Sequence, residues 1–313
     1  MLRSFAANPG AAQDGRLMNE QITGDHRVMP IELGQFVKNK SLAPDEQHLV
    51  ELAWEVADLA YCIQSDFHVG AALIATNKTG DSRVFTGCNI MNLSMPATIC
   101  AERSAVFNAI TAGFTKINAL AAVCKNIPGG FPCGACRQVL REFGLGATLL
   151  IICDREKNVR RLTIDELLPA PKSPPVSWDS LDEPERELLE QCFDLIGRAY
   201  VPYSRQARGA ALLARNPQQI SAVFPGTQID NASYGVSISA ERSAMASAVT
   251  AGFQHFETLA VRGDDPIDGE DLQFLREFGG LSARLLIAGR DRSVIRSSLS
   301  ELLPDSFGPE SVE

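Results

Sequence analysis

Apolar residues recur at three- and four-residue spacing through Leu49, Leu52, Ala53, Val56, Leu59 and Ala60. This predicts a helix that opens at Ala43-Pro44-Asp45-Glu46, where a proline and two acids suit a first turn. The pattern then changes. Apolar runs over 69–76 and 83–89 predict two strands joined by a turn at Asn77-Lys78-Thr79-Gly80. Helical spacing returns over 101–111, stopped by Gly113, and over 133–143, between Pro132 and Gly144. Short apolar runs at 119–124 and 147–153 predict strands, and 163–168 predicts a short capped helix. The order α-β-β-α-β-α-β implies parallel strands in the second half and an antiparallel edge from the hairpin. Residues 1–27 lack any period and are expected to form a loose tail, and 30–40 to form a short helix.

After the proline-rich stretch Ala170-Pro171-Lys172-Ser173-Pro174-Pro175, the same pattern is written again. Tyr61, Ser65 and Gly70-Ala71-Ala72-Leu73 match Tyr200, Ser204 and Gly209-Ala210-Ala211-Leu212. Cys100-Ala101-Glu102-Arg103-Ser104 matches Ser239-Ala240-Glu241-Arg242-Ser243. Leu140-Arg141-Glu142-Phe143-Gly144 returns as Leu275-Arg276-Glu277-Phe278-Gly279, and Glu166-Leu167-Leu168-Pro169 as Glu301-Leu302-Leu303-Pro304. So many ordered matches predict a duplicated domain. The expected fold class is α/β, a duplicated three-layer α-β-α domain with a mixed sheet. The expected division is a tail and short helix over 1–43, a first domain over 44–170, a linker over 171–182 and a second domain over 183–313.

The chain has 313 residues and a formal net charge of −9, with 7% aromatic residues. No basic run stands out, and nucleic-acid binders carry a clustered positive footprint. The balance favours a small free substrate and no nucleic-acid partner. No apolar run approaches the length of a membrane helix, and no leader pattern opens the chain, so no membrane partner and a cytoplasmic location are expected. Eight cysteines in a chain this long do not suggest a disulfide framework. Cys62, Cys88, Cys124, Cys153 and Cys192 are expected to be buried core thiols.

The other three carry the chemistry. Cys133 and Cys136 form a C-x-x-C that presents two thiolates to one metal, and Cys100 supplies a third from a separate segment. Three ligands with a fourth position left for water define a catalytic zinc site. Glu102, two residues beyond Cys100, faces that fourth position as a proton carrier. Cys100 and Cys133 are both expected at helix N-termini, where the dipole favours the thiolate.

The Cys-Ala-Glu and Pro-Cys-Gly-Ala-Cys segments resemble the zinc-dependent cytidine deaminases, as do Phe67-His68-Val69-Gly70 and Gly87-Cys88-Asn89. The resemblance is strong over about 44–169. It implies one zinc ion per chain, in the first domain, on Cys100, Cys133 and Cys136. It also implies Glu102 as the catalytic residue, and a substrate pocket formed by Phe67, Val69, Asn89, Met91 and Ala101. Arg103 is the residue expected to pair with a ligand sulfur, and Arg137 is the second candidate. The implied reaction is hydrolytic deamination of cytidine or 2′-deoxycytidine to the uracil nucleoside plus ammonia, in pyrimidine salvage. The implied assembly is a homodimer with a non-catalytic second domain.

Two departures matter. The family pattern Asn-x-Glu-Asn, which binds ribose, reads Asn89-Ile90-Met91-Asn92 here. Methionine is a weak acceptor, so a cytosine nucleoside with a modified sugar is the alternative substrate. In the second domain the metal chemistry is expected to be lost. Ser239 replaces Cys100, and no cysteine stands near Asp265-Pro266-Ile267-Asp268-Gly269-Glu270, with nothing in place of the thiolate pair. That domain keeps Ala232-Ser233-Tyr234-Gly235, which resembles the loop that completes a neighbouring site in single-domain relatives. A nucleic-acid editing deaminase needs a basic groove that is missing here. A zinc-stabilised binding protein without activity is disfavoured by Glu102, because structural sites close on a fourth protein ligand.

Overall fold

A computed structural model describes residues 37–38, 41–63, 65–126 and 130–311. Contacts divide these described residues into two compact units, those within 1–126 together with Thr148–Arg161, and those within 127–147 together with 162–313.

The first sheet has six strands in the order β1-β6-β5-β4-β2-β3. They are β1 (Val37–Lys38), β2 (Val69–Asn77), β3 (Ser82–Cys88), β4 (Phe114–Cys124), β5 (Gly144–Cys153) and β6 (Asn158–Thr163). β2 runs antiparallel to both β3 and β4, so the predicted hairpin forms the edge. Period-two alternation sorts the side chains of β2 between two faces. Ala72 and Ile74 pack with Leu49, Val50 and Ala53 of α1 (Pro44–Val56). Ala71 and Leu73 point to the other face, where α2 (Ala101–Thr111) packs on β2, β3 and β4. Helix, sheet, helix is the three-layer arrangement expected.

The second sheet repeats this plan in the order β11-β10-β9-β7-β8. Its strands are β7 (Gly209–Arg215), β8 (Ser221–Thr227), β9 (His255–Arg262), β10 (Arg284–Ala288) and β11 (Val294–Ser298). β7 is antiparallel to β8 and β9, and β10 is parallel to β9. Leu189 and Cys192 of α5 (Glu183–Leu195) cover one face of this sheet. Residues of α6 (Ala240–Thr250) and α7 (Gly269–Gly279) cover the other. The duplication is therefore one of topology as well as of sequence.

Helix α3 (Gly134–Phe143), which carries the C-x-x-C, packs against α7 within the second unit. The two helices touch at Gly134 and Gly269, where a Cβ on either residue would strike the other's carbonyl oxygen. Reciprocal bonds lock the pair: the Gly134 amide donates to Gln273 Oε1 at 2.9 Å, and the Gly269 amide donates to Gln138 Oε1 at 3.0 Å. Arg137, fully buried, donates to the carbonyls of Pro132, Leu167, Pro304 and Asp305 at 2.5–2.8 Å.

Three expectations need correction. Strand β6 was not predicted, because Arg160 and Arg161 break its apolar alternation. Arg161 is nevertheless buried, with its charge met by Glu46 of α1 at 2.6 Å. Most of the helix expected over 30–40 falls outside the described residues, as does the tail over 1–27. Within that stretch, Val37–Lys38 pair with Val159 and Asn158 as a strand. Of the five cysteines expected in the core, Cys124, Cys153 and Cys192 are buried, whereas Cys62 and Cys88 are only partly so.

Candidate active site

Two helix starts build the site. Cys100 is the N-cap of α2 and Cys133 the N-cap of α3, each with extended backbone, and Cys136 lies in the first turn of α3. Exposed backbone amides and the dipole give both positions a positive potential that favours thiolate. The sulfurs of Cys100, Cys133 and Cys136 lie within 4.8 Å of one another, and those of Cys133 and Cys136 are 3.5 Å apart. A tetrahedral zinc with Zn–S bonds near 2.3 Å requires sulfurs about 3.8 Å apart, so this donor set fits zinc with little adjustment. Among the described residues, this is the one group of three or more His, Cys, Asp or Glu side chains whose donor atoms converge in this way.

Glu102 sits in the first turn of α2 and is 5% exposed. Ala101, beside it, is fully buried. Arg103 Nη2 donates to the Thr98 carbonyl at 3.1 Å and to Cys100 Sγ at 3.5 Å. A guanidinium on a ligand sulfur offsets the excess charge of three thiolates around a divalent ion. Arg137, the other candidate, spends its donors on the four carbonyls described above.

Asn89 is buried, and its carboxamide ties down the strand start: Nδ2 donates to the Phe67 carbonyl at 2.8 Å, and Oδ1 accepts from the Val69 amide at 2.9 Å. Met91 Sδ accepts from Ser65 Oγ at 3.2 Å. The second unit shows what an acid does at this place. Asp230 accepts from the Tyr203 and Ser204 amides at 3.3 and 2.8 Å, and from Ser204 Oγ at 3.1 Å. These bonds, with the Ser204 amide the strongest, hold its carboxyl below the usual range. Ala232, Ser233, Tyr234 and Gly235 are exposed, with Tyr234 at 75%.

The corresponding pocket of the second unit departs from expectation. The recurrence of Leu140-Arg141-Glu142-Phe143-Gly144 fixes a register in which Asp268 and Asp271 stand where Cys133 and Cys136 stand. Asp268 is the N-cap of α7 and Asp271 lies in its first turn, so carboxylates do replace the thiolate pair. Ser239 caps α6 by accepting from the Arg242 amide at 3.1 Å and donates to Asp271 Oδ1 at 2.8 Å. Arg208, at the position of Val69, places Nε 2.6 Å from Glu241 Oε1. A fixed cation thus neutralises the acid equivalent to Glu102. Burial, reinforced by the Glu241 charge, pushes the Asp271 carboxyl up to about 7, and burial also raises Asp268. The signal for both aspartates lay in the repeat register, which shifts by a short deletion before α7.

Comparison with known proteins identifies the family. A family model described as the cytidine and deoxycytidylate deaminase zinc-binding region matches residues 43–152. The chain is 37% identical over 125 residues to a cytidine deaminase of Sporosarcina psychrophila, covering 40% of this chain and 89% of that one. A cytidine deaminase of Aliivibrio fischeri is 29% identical over 234 residues, 71% of this chain and 72% of the other. A crystal structure of cytidine deaminase from Burkholderia pseudomallei matches at 38% identity and TM-score 0.36, over 39% of this chain and 94% of that one. The α/β architecture and the cysteine cluster together are those of a zinc-dependent hydrolytic deaminase. The chain belongs to the cytidine deaminase family.

Proposed function

We propose that the chain deaminates a free cytosine nucleoside, cytidine or 2′-deoxycytidine, to the uracil nucleoside plus ammonia, as a step of pyrimidine salvage. The observation that carries this is the convergence of three sulfurs at two helix starts, with Glu102 one residue inside the first. Cys100, Cys133 and Cys136 hold the metal, and Arg103 balances the charge on Cys100. Zinc held there would supply a water of lowered pKa. Glu102 would carry both protons of the attacking water, the first to ring N3 and the second, released from the new C4 hydroxyl, to the amine that leaves as ammonia. A buried carboxylate suits both directions of transfer, because little solvent competes for the proton. Phe67, Val69 and Ala101 wall the base, and Asn89 fixes that wall through its two backbone bonds. Residues 44–170 form the catalytic half and 183–313 the degenerate half.

A second reading has its own observation. The sugar side of the pocket has a thioether in place of a carboxylate, with Leu93 80% exposed and Met95 71% exposed nearby in the chain. Such a surface selects poorly for a free ribose hydroxyl, which favours a sugar-modified cytosine nucleoside. An absorbance screen of cytidine, 2′-deoxycytidine and sugar variants decides between the two. Glu102→Ala keeps one zinc per chain and loses roughly 10²–10⁴-fold in turnover. Normal turnover in that variant refutes the mechanism. Working assembly as a homodimer in the cytoplasm accords with eight free thiols and with an exposed loop at 232–235.

A further inference from the structure

The first unit holds a second cluster of titratable and nucleophilic side chains, apart from the three ligand cysteines. Cys62 Sγ stands 3.4 Å from His68 Nε2, closer than the Ala60 carbonyl at 3.8 Å. His68 Nδ1 lies 3.2 Å from the Ala57 carbonyl. A carbonyl oxygen only accepts, so Nδ1 carries the hydrogen and Nε2 of the neutral ring accepts from the thiol. Asp66 Oδ1 is 3.3 Å from the same Nε2, and Asp66 Oδ2 accepts from Asn126 Nδ2 at 3.1 Å. Asn126 Oδ1 in turn accepts from the His68 amide at 3.0 Å, so one asparagine positions both the ring and the acid. Cys62 is partly exposed, and the Asp66 side chain is 89% exposed. Burial, and after it the Asp66 charge, push the Cys62 thiol up, so the resting group is S–H beside a base. Cys88 is the contrast. It is also partly exposed and also pushed up by burial, but its Sγ donates to the Leu59 carbonyl at 3.4 Å, which cannot take a proton.

We propose that Cys62, with His68 as its base, is a modification site for an uncharged two-electron oxidant of the hydroperoxide class. Sγ attacks one peroxide oxygen; an S–O bond forms and the O–O bond breaks. The thiol proton passes to His68 Nε2 and from there to the departing oxygen. With hydrogen peroxide the products are a sulfenic acid on Cys62 and water, the sulfur losing the two electrons that the peroxide gains. Asp66 meets the imidazolium that exists between the two proton transfers. The same carboxylate repels anionic oxidants, which is why the co-reactant is uncharged. A raised thiol pKa favours this route over a resting thiolate, because a more basic sulfur is the stronger nucleophile once its proton is taken. The segment is tied to the sugar side of the pocket: the Tyr61 amide donates to the Asn89 carbonyl at 3.0 Å, and the Met91 amide to the Tyr61 carbonyl at 2.7 Å. The oxidation needs neither zinc nor turnover, so it stands or falls separately from the catalytic reading.

Treatment of the full-length zinc-loaded protein with hydrogen peroxide in excess dimedone, followed by peptide mass mapping over time, tests this. Dimedone traps the sulfenic acid, and Cys88, read from the same digest, is the internal reference. The expected result is that Cys62 is labelled at least tenfold faster than Cys88. His68→Gln, which keeps a polar side chain but removes the base, should bring the two rates together. His68→Asn repeats the measurement in a smaller side chain should the first variant fold poorly, and the parent comparison needs no variant. Equal labelling of Cys62 and Cys88 in the parent, or a ratio that survives loss of the imidazole, overturns the proposal. The readout is a mass on one peptide, so a failure of deamination leaves it untouched and would fault the catalytic reading alone.

Discussion

Single side chains distinguish the two equivalent pockets. Val69 and Arg208 occupy equivalent places, and the arginine pairs with Glu241, the acid that stands where Glu102 stands in the first copy. Met91 and Asp230 are another such pair. Asp230 organises the loop at Tyr203 and Ser204 through three bonds, and Met91 offers Ser65 only a thioether. Met91→Glu should restore an anionic acceptor on the sugar side and lower KM for cytidine about tenfold or more, since a hydrogen bond to a charged group is worth about 1.5–3 kcal/mol. Steady-state kinetics on cytidine and on a sugar-modified analogue would show this, and an unchanged KM ratio argues that the Met91 side chain does not face the sugar. Asp271 gives a pH prediction. Its folded pKa lies above the ordinary value of 3.8, so the folded state binds the extra proton between about pH 4 and 7. Stability from this group is present at the acid end of that window and is lost as pH rises through about 7. The groups that face it are Glu241, Ser239, Arg242 and Asp268. Asp271→Asn should flatten that slope, and thermal melts at pH 5 and pH 8 measure it.

Among elements, the pairing of α3 with α7 governs where two of the three ligands stand. α3 has its first amide capped by Gln273 and its backbone in contact with Gly269. A side chain at Gly269 has to push α3 away, because the atom it meets is a backbone carbonyl of Gly134 that has no rotamer to yield. Gly269→Ala should therefore cost about 1–3 kcal/mol and lower zinc occupancy. Thermal unfolding and metal analysis on the same preparation test this; full zinc loading with an unchanged melting temperature would show that α3 tolerates the shift. α7 is thus a support for α3 within the second unit. This helix contact could not be read from the apolar pattern, since two glycines and two glutamines carry no periodic signal.

At the scale of the whole molecule, duplication gives each copy a fold that does not depend on the cysteine cluster. Each sheet has its own core, with α1 and α2 on opposite faces of the first and α5 opposite α6 and α7 on the second. The second copy, which has no such thiolates, keeps these layers. The Ala232–Gly235 loop is a candidate to complete the first half's site in a homodimer, and its exposure leaves it free to do so. Tyr234→Ala should raise KM severalfold with zinc and melting temperature unchanged. An unaltered KM would identify the loop as a surface turn.

The amino-acid order by itself determined the period of most helices and strands, the duplication, and the ligand set, because these are written in local spacing and in residue types with one evident chemistry. The strand over 158–163 was hidden, since Arg161 is buried only through Glu46 far away in the chain. Asp268 and Asp271 were in plain view, yet their equivalence to the ligand cysteines depends on a register that the deletion obscures. Tertiary structure alone decided the Arg208–Glu241 pair, the Arg137 latch on four carbonyls and the seating of α3 on α7. Such contacts arise between residues remote in the chain, and burial rather than sequence neighbourhood sets their strength.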